Sequence, residues 1–244
     1  MIGKIKTPQE VPSARNPQTE MNSDLILHSS DLLPGDVLLY RPRNPNNIQR
    51  GISKATNSPY THAAIYLGDG CIAESGFPLG VARSALERSL RDSQCVAVLR
   101  SQLVFGDDRP TKLNEFVTAV LKEGNFYDFI GVLNFRQRSA NYFMNQLEFI
   151  RNNYGTFASK EEFAKKYFFC SAFVVACYAI VGIIGESAQV AYQPSFFSPG
   201  HLYQDPTFGW LLGYLLPEDG SIPPDDPPLS QATLWRDNYG ARWW

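Results

Sequence analysis

Residues Tyr167 to Gly185, YFFCSAFVVACYAIVGIIG, run for 19 positions without a formal charge. Such a run either crosses a bilayer or forms the buried helix of a folded domain. Its length only just reaches that of a span, and it contains Ser171, two Tyr and two Cys. Lys165, Lys166 and Glu186 close it without the loop pattern of an anchored segment. The reading is therefore a buried core helix near 170–184, stopped at Gly185. With 44% apolar and 19% charged residues, the chain can bury a sizeable core around it.

Two segments upstream read as strands. In DLLPGDVLLYRP, 31–42, a Pro-Gly turn precedes an apolar segment, which predicts a strand over Val37 to Tyr40. In THAAIYLGDGCIAES, 61–75, two short apolar runs flank Gly68-Asp69-Gly70, a hairpin signal. A two-residue loop, Asp69-Gly70, would pair position i with 139 − i and put His62 and Glu74 on opposite faces. A three-residue loop with Gly70 left-handed pairs i with 138 − i and sets Glu74 opposite Ala64, on the face of His62. The two would then be diagonal neighbours, about 7 to 8 Å apart at the backbone and within side-chain reach. The second register is the expected one. A third strand is expected over CVAVLR, 95–100, after a polar loop at 43–58.

The rest reads as helical. Leu113, Phe116, Val117, Val120 and Leu121 recur at helical spacing, with Thr111 as the expected cap and Gly124 as the stop. Helices are also expected over 139–153 and 159–167, the latter opened by a Ser159-x-x-Glu162 capping box. Residues 1–24 are polar and Pro-punctuated and read as a flexible arm. Beyond Pro217 the chain turns acidic and Pro-rich and ends in LWRDNYGARWW, a tail whose Trp235, Trp243 and Trp244 are expected to fold back rather than dock a partner.

Several function classes fall away. A formal charge of −2 argues against a nucleic-acid binder. Phosphate-binding glycine loops are absent, and so is the G-x-S-x-G elbow, Gly51-Ile52-Ser53-Lys54-Ala55 being the nearest approach. The four cysteines, at 71, 95, 170 and 177, contain no C-x-x-C and read as individual thiols. Cys71, Cys95 and Cys177 read as small buried hydrophobes. Cys170 opens the long apolar helix, where unpaired amides and the helix dipole favour a thiolate. Of the three histidines, His28 borders the arm and His201 lies in a Pro-Gly loop, where a surface role is the default. His62 instead starts an apolar strand, as a buried histidine or as a base.

Together LLPGDVLLY and THAAIYLGDGCIAES resemble the strand pattern of the NlpC/P60 cysteine peptidases, L-x-P-G-D-hydrophobic followed by H-hydrophobic-G-I-Y-L-G-x-G. In standard members the catalytic Cys precedes those strands, whereas Cys170, in YFFCSAFVVACY, follows them. That order resembles the circularly permuted, YiiX/YebB-like branch of papain-fold amidases, whose relatives include the lecithin:retinol acyltransferase-like proteins. EGNFYDFIG, 123–131, is similar to the family's G-x-x-Y-D stretch. The resemblance spans 31 to about 214 on short motifs, and Ser171-Ala172 departs from the usual Ser-Gly or Ser-Glu after the Cys.

The resemblance implies an α+β fold of permuted papain-like type, an antiparallel sheet against helices including the one that starts at Cys170, over 25–216 with a helical insertion near 136–166. It implies Cys170 as nucleophile, His62 as base, Glu74 as the group orienting the imidazole, and Tyr127 with the amides at Cys170 and Ser171 as oxyanion donors. The implied activity is a cysteine amidase or peptidase acting through an acyl-enzyme on a cell-wall-type peptide, without cofactor or metal. Alternatives are lipid or thioester acyl transfer and an inert binding module. Zinc held by His62, Glu74 and Cys170 is the weakest rival, since the usual ligand spacings are missing. Expected partners are a peptide or acyl substrate, with no nucleic acid and no stable membrane span. No Sec signal is read in the first 30 residues, so synthesis in the cytoplasm is expected, with a dedicated secretion route and an immunity partner if the substrate lies outside.

Overall fold

A computed structural model describes residues 24–231, except 104, 107 and 125, together with residues 234 and 235. The expected arm, apart from Asp24, and the terminal Trp243 and Trp244 lie outside the described residues. The chain is α+β. In order its strands and helices are β1 (Ile26–Leu27), β2 (Val37–Pro42), α1 (Asn47–Thr56), β3 (His62–Gly68), β4 (Cys71–Gly76), β5 (Gly80–Ala85), α2 (Leu86–Leu90), β6 (Ser93–Arg100) and α3 (Arg109–Glu123). There follow α4 (Phe129–Met144), α5 (Gln146–Asn153), α6 (Lys160–Ala164), α7 (Cys170–Ile180), α8 (Pro199–Gln204), β7 (Trp210–Leu215) and α9 (Pro227–Gln231).

The strands make one sheet in the order β1-β7-β6-β2-β3-β4-β5. All neighbours are antiparallel except β1 and β7, so the sheet is mixed where a purely antiparallel one was expected. The strand expected at 95–100 is β6, and it continues the sheet between β2 and β7. On β4 the outer neighbour is β5, which sequence reading left unassigned. Because β3 is covered on both faces, five consecutive residues from Ala63 to Leu67 are buried and polar alternation is lost.

The long apolar run does become the core helix. Every residue of α7 from Cys170 to Ala179 is buried, against Val37, Leu39, Ala63, Ile65 and Ala73 of the sheet. It is shorter than expected, ending at Ile180, with Val181 as its C-cap and Gly182 left-handed at φ +75°. Among the described residues no helix is long and apolar enough to cross a membrane. Its Phe and Val side chains each contribute roughly 1.5 to 3 kcal/mol of burial. The opposite face of the sheet carries Leu38, Tyr40, Ala64, Tyr66, Ile72, Val96 and Val98, closed by Leu32 and by Leu86 of α2.

The Pro34-Gly35-Asp36 turn is a structural lock. Gly35 stands at φ +93° against the Phe105 ring, where a Cβ would sit 2.3 Å from a ring carbon. Its carbonyl accepts from Tyr178 Oη of α7 at 3.0 Å. Asp36, buried, accepts the Leu33 amide at 2.8 Å and both Nε and Nη2 of Arg100 at 2.9 and 2.7 Å. The turn thereby ties β2, β6 and α7 together.

Other boundaries differ from expectation for local reasons. The polar stretch 43–58 contains α1, nucleated by an Asn46–Gln49 capping box with bonds of 2.9 Å each way. α3 starts at Arg109, before Thr111, because Pro110 fits the first turn, and Gly124 closes it at φ +65°. The helix expected over 139–153 is two helices, α4 beginning at Phe129 and α5, broken at Asn145. The Ser159–Glu162 capping box is formed, but α6 ends at Ala164.

Candidate active site

The β3–β4 hairpin reconciles the two registers that the sequence allowed. Asp69 and Gly70, at φ +50° and +69°, make a two-residue turn of the kind that needs two positive φ values, and Gly68 closes on Cys71. Leu67 is then an extra residue in β3, and beyond this bulge Tyr66 pairs with Ile72 and Ala64 with Glu74. The 138 − i register therefore holds where it matters, through a two-residue turn plus a bulge instead of a three-residue loop. His62 and Glu74 share a face, and His62 Nε2 lies 2.7 Å from Glu74 Oε2. The Tyr40 ring sits 5.4 Å from the imidazole and limits its swing.

Cys170 arrives from the other side, as the first residue of α7. Phe169 occupies the N-cap position and supplies no side-chain acceptor, so the first-turn amides keep their donor capacity for whatever lies in front of them. Cys170 is 4% exposed, and the backbone N–H groups of Ala63 and Ser171 act on its sulfur. Burial acts to raise the Cys170 pKa, but its hydrogen bond with His62, the imidazolium charge and the two amides outweigh that and hold it below an ordinary thiol. His62 shows the reciprocal effect. Burial acts to lower its pKa, yet hydrogen bonds to Cys170 and Glu74 and the charges of both push it up to about 10. The imidazole keeps 27% of its side chain accessible and Glu74 19%, so the pair meets water along one edge. In Glu74, burial is opposed by the His62 bond and charge and by a bond from Ser84, and its pKa is lowered. The arrangement sets a thiol whose pKa is lowered beside an imidazole whose pKa is raised, with the Glu74 carboxylate hydrogen-bonded to the ring.

The two expected oxyanion donors divide. Ser171 is fully buried and its hydroxyl donates to the Phe197 carbonyl at 2.8 Å, so only its amide faces the sulfur. Tyr127 is held by a bridge between its strand-like segment and Phe168, the residue two before Cys170, and by the Asp128 amide bonding the Phe168 carbonyl at 3.2 Å. Burial first, then the Cys170 charge, raise the Tyr127 pKa far above its usual value, so the phenol remains a donor beside the sulfur.

Beside the thiol lies a small cavity of about 30 Å³ between α1 and α4. Tyr127, Cys170 and Ser171 line it with Ile52, Val132, Phe135 and Phe169. No Asp, Glu, Lys or Arg is among the lining residues.

The remaining candidates lie elsewhere. Cys177, deep in α7, has its pKa pushed well up by burial, and Cys95 is pushed up to about 12 by burial and the charge of Asp226. His201, expected at the surface, is half-buried in α8, where its Nδ1 accepts the Ser198 amide at 3.1 Å and Ser198 Oγ accepts the His201 amide at 3.2 Å. Burial lowers its pKa, and its ring lies 4.8 Å from Phe143. The reason is a cap, which the Ser-Pro-Gly-His spacing could have signalled.

Sequence reading missed three supporting residues. Ser84 lies on the unassigned strand β5, whose two-period pattern in GVARSA was its signal. Tyr40 was read only as strand. Asp226, in the acidic segment taken as tail, is 1% exposed and accepts Arg41 Nη1 at 2.6 Å, Tyr60 Oη at 2.6 Å and Tyr214 Oη at 2.8 Å. It thereby fixes Tyr60, two residues before His62. No local pattern marks one Asp of PPDDPP for burial. Trp235 packs on Trp210 at 5.9 Å, in keeping with a tail that folds back there.

No protein-family model matches the chain, and no curated protein matches it either.

Proposed function

We infer that the protein is a cysteine hydrolase that cleaves an amide or ester through an acyl-enzyme on Cys170, on a permuted papain-like fold in which the His and Glu strands precede the Cys helix. The contact of Cys170, His62 and Glu74, with thiol and imidazole pKa values displaced toward the ion pair, carries this reading. A free thiol of ordinary pKa is only a few per cent ionised at neutral pH. Here the proton resides on His62, Glu74 steadies the imidazolium, and the sulfur attacks an acyl carbon.

As the C–S bond forms, the carbonyl oxygen takes the electron pair and accepts hydrogen bonds from the Ser171 amide and the Tyr127 hydroxyl. The imidazolium then gives its proton to the departing nitrogen or oxygen, and the C–N or C–O bond breaks. Neutral His62 next takes a proton from water, whose oxygen attacks the thioester and regenerates the thiolate with release of a carboxylic acid. The uncharged lining beside the sulfur favours an apolar acyl group over a charged one. A cell-wall-type peptide brings carboxylates for which that lining has no cation.

The pH dependence of alkylation at each cysteine, read by mass spectrometry, tests the reading in the native protein and in His62→Ala. Cys170 is expected to react fast below neutral pH, and Cys71, Cys95 and Cys177 slowly, with the advantage of Cys170 lost in the variant. Equal rates at Cys170 and Cys71 would overturn it.

A further inference from the structure

The cavity beside Cys170 does not open onto a polar surface. Tyr127, one of its walls, has its ring 6.1 Å from that of Phe77, and Phe77 lies 5.7 Å from Phe129. Phe77 is exposed, and so are Leu79 beyond it in the β4–β5 turn, Phe126 and Ile130 flanking this pair at the start of α4, and Tyr167 beside the Tyr127–Phe168 bridge. Leu79 is 78% and Ile130 72% exposed. Single exposed apolar residues need no explanation, but six large ones joined to the mouth of an apolar cavity mark an interaction surface.

The charges around the mouth narrow the partner. The helices on either side of the cavity, α1 and α4, carry Arg50, Lys54 and Arg136 on exposed positions and no acidic side chain, while Arg138 turns to Ser195 Oγ at 3.4 Å and the Phe196 ring, in a chain whose formal charge is −2. Asp128, which precedes α4, is tied down by the Gly131 amide at 2.7 Å. An apolar rim flanked by cations fits a layer with anionic groups at its surface and hydrocarbon beneath, since apolar burial and attraction to headgroups add. A flat layer also suits projecting tips, because the exposed residues stand on a turn and a helix start.

The geometry points to a docking surface for an anionic lipid bilayer, formed by Phe77, Leu79, Phe126, Phe129, Ile130 and Tyr167 with the basic faces of α1 and α4, which sets the mouth of the Cys170 cavity against the membrane. This surface does not depend on the catalytic reading, because binding needs no turnover.

Flotation of the full chain tests it, with vesicles of equal parts phosphatidylglycerol and phosphatidylcholine and with phosphatidylcholine alone. The chain is expected to float with the anionic vesicles and at least about tenfold less with the neutral ones. Leu79→Ser combined with Ile130→Ser, both at exposed positions, is expected to weaken anionic binding about tenfold, while Leu147→Ser, at a site 85% exposed on α5, leaves it unchanged. Circular dichroism melting confirms that each variant is folded. Loss of anionic binding in Arg50→Gln with Lys54→Gln would support the charge contribution. Failure to float with either vesicle, or equal loss in Leu147→Ser, overturns the proposal. So does concentration-dependent self-association that disappears in the Leu79, Ile130 variant without vesicle binding, which would make the rim an interface between copies. Cys170→Ala is expected to bind vesicles like the native chain, so a failure of the catalytic reading leaves this result standing.

Discussion

Two thiols sit on one helix, seven residues apart, and behave oppositely. Cys177 lies two turns into α7, wholly enclosed by apolar side chains, and burial keeps it protonated. Cys170 is buried almost as deeply, but it stands at the helix start, where two amides and an imidazolium reach its sulfur and hold its pKa down. Burial is common to both, so burial is not what activates a thiol. The difference is made by donors and charge at a helix end, and by the hairpin that delivers His62 there.

The sharpest break in that comparison is removal of either sulfur. Cys170→Ala is expected to abolish turnover and acyl-enzyme formation, seen by intact-mass measurement with an activated acyl ester. Cys177→Ala should keep turnover while lowering stability by about 1 kcal/mol, as expected for a small cavity, read by denaturant unfolding. If both variants remain active, α7 carries no nucleophile.

Next in size is His62→Ala. Without the imidazole, the Cys170 pKa should rise, with alkylation at neutral pH slowed by at least about tenfold. The pH profile of the native protein carries the matching sign. His62 has a folded pKa near 10 against 6.5 unfolded, so its stabilising effect is complete below 6.5 and is lost as pH rises through about 10. Glu74 is depressed below 4.5, so its effect is present above 4.5 and lost as pH falls through its folded value. Turnover is expected to follow a bell whose acid limb is the depressed Cys170 and whose alkaline limb lies near pH 10, where the proton donor for the leaving group disappears.

Glu74→Gln has a smaller expected effect, turnover falling about tenfold and the alkaline limb moving down by about one unit, because one of the two partners that raise His62 becomes neutral. Smallest is Ser84→Ala. Loss of that hydrogen bond lets Glu74 rise toward 4.5, and the acid side of the stability profile, read by unfolding across pH, should move up by less than about one unit. An unchanged profile in both variants would mean that Glu74 does not govern the imidazole.

Much of this site was legible in the chain because its signals are local. Gly68-Asp69-Gly70 restricts the hairpin to two registers, one of which puts His62 and Glu74 on the same face. The uncharged run around Cys170 has to be enclosed, and its first residue has to meet open amides. The Ser159–Glu162 box and the Gly124 stop are likewise written in a few adjacent residues. Legibility failed where a residue's role depends on a distant partner: Ser84 supports Glu74 from a strand paired only in the folded sheet, and Asp226 reaches back to Arg41 and Tyr60 from a segment whose composition reads as solvated tail.

By itself, then, the sequence determined which helix is buried, that His62 and Glu74 lie on one hairpin with two possible registers, and which thiol opens a helix, because turn residues, side-chain period and charge are properties of neighbouring residues. Only the tertiary structure decided that the imidazole meets the sulfur, that Leu67 bulges to restore the register, that the cavity beside Cys170 is uncharged and that Asp226 pins the strand before His62. Those outcomes rest on contacts between elements tens to hundreds of residues apart, where the free energy of a pairing depends on what else is packed around it and no local pattern records it.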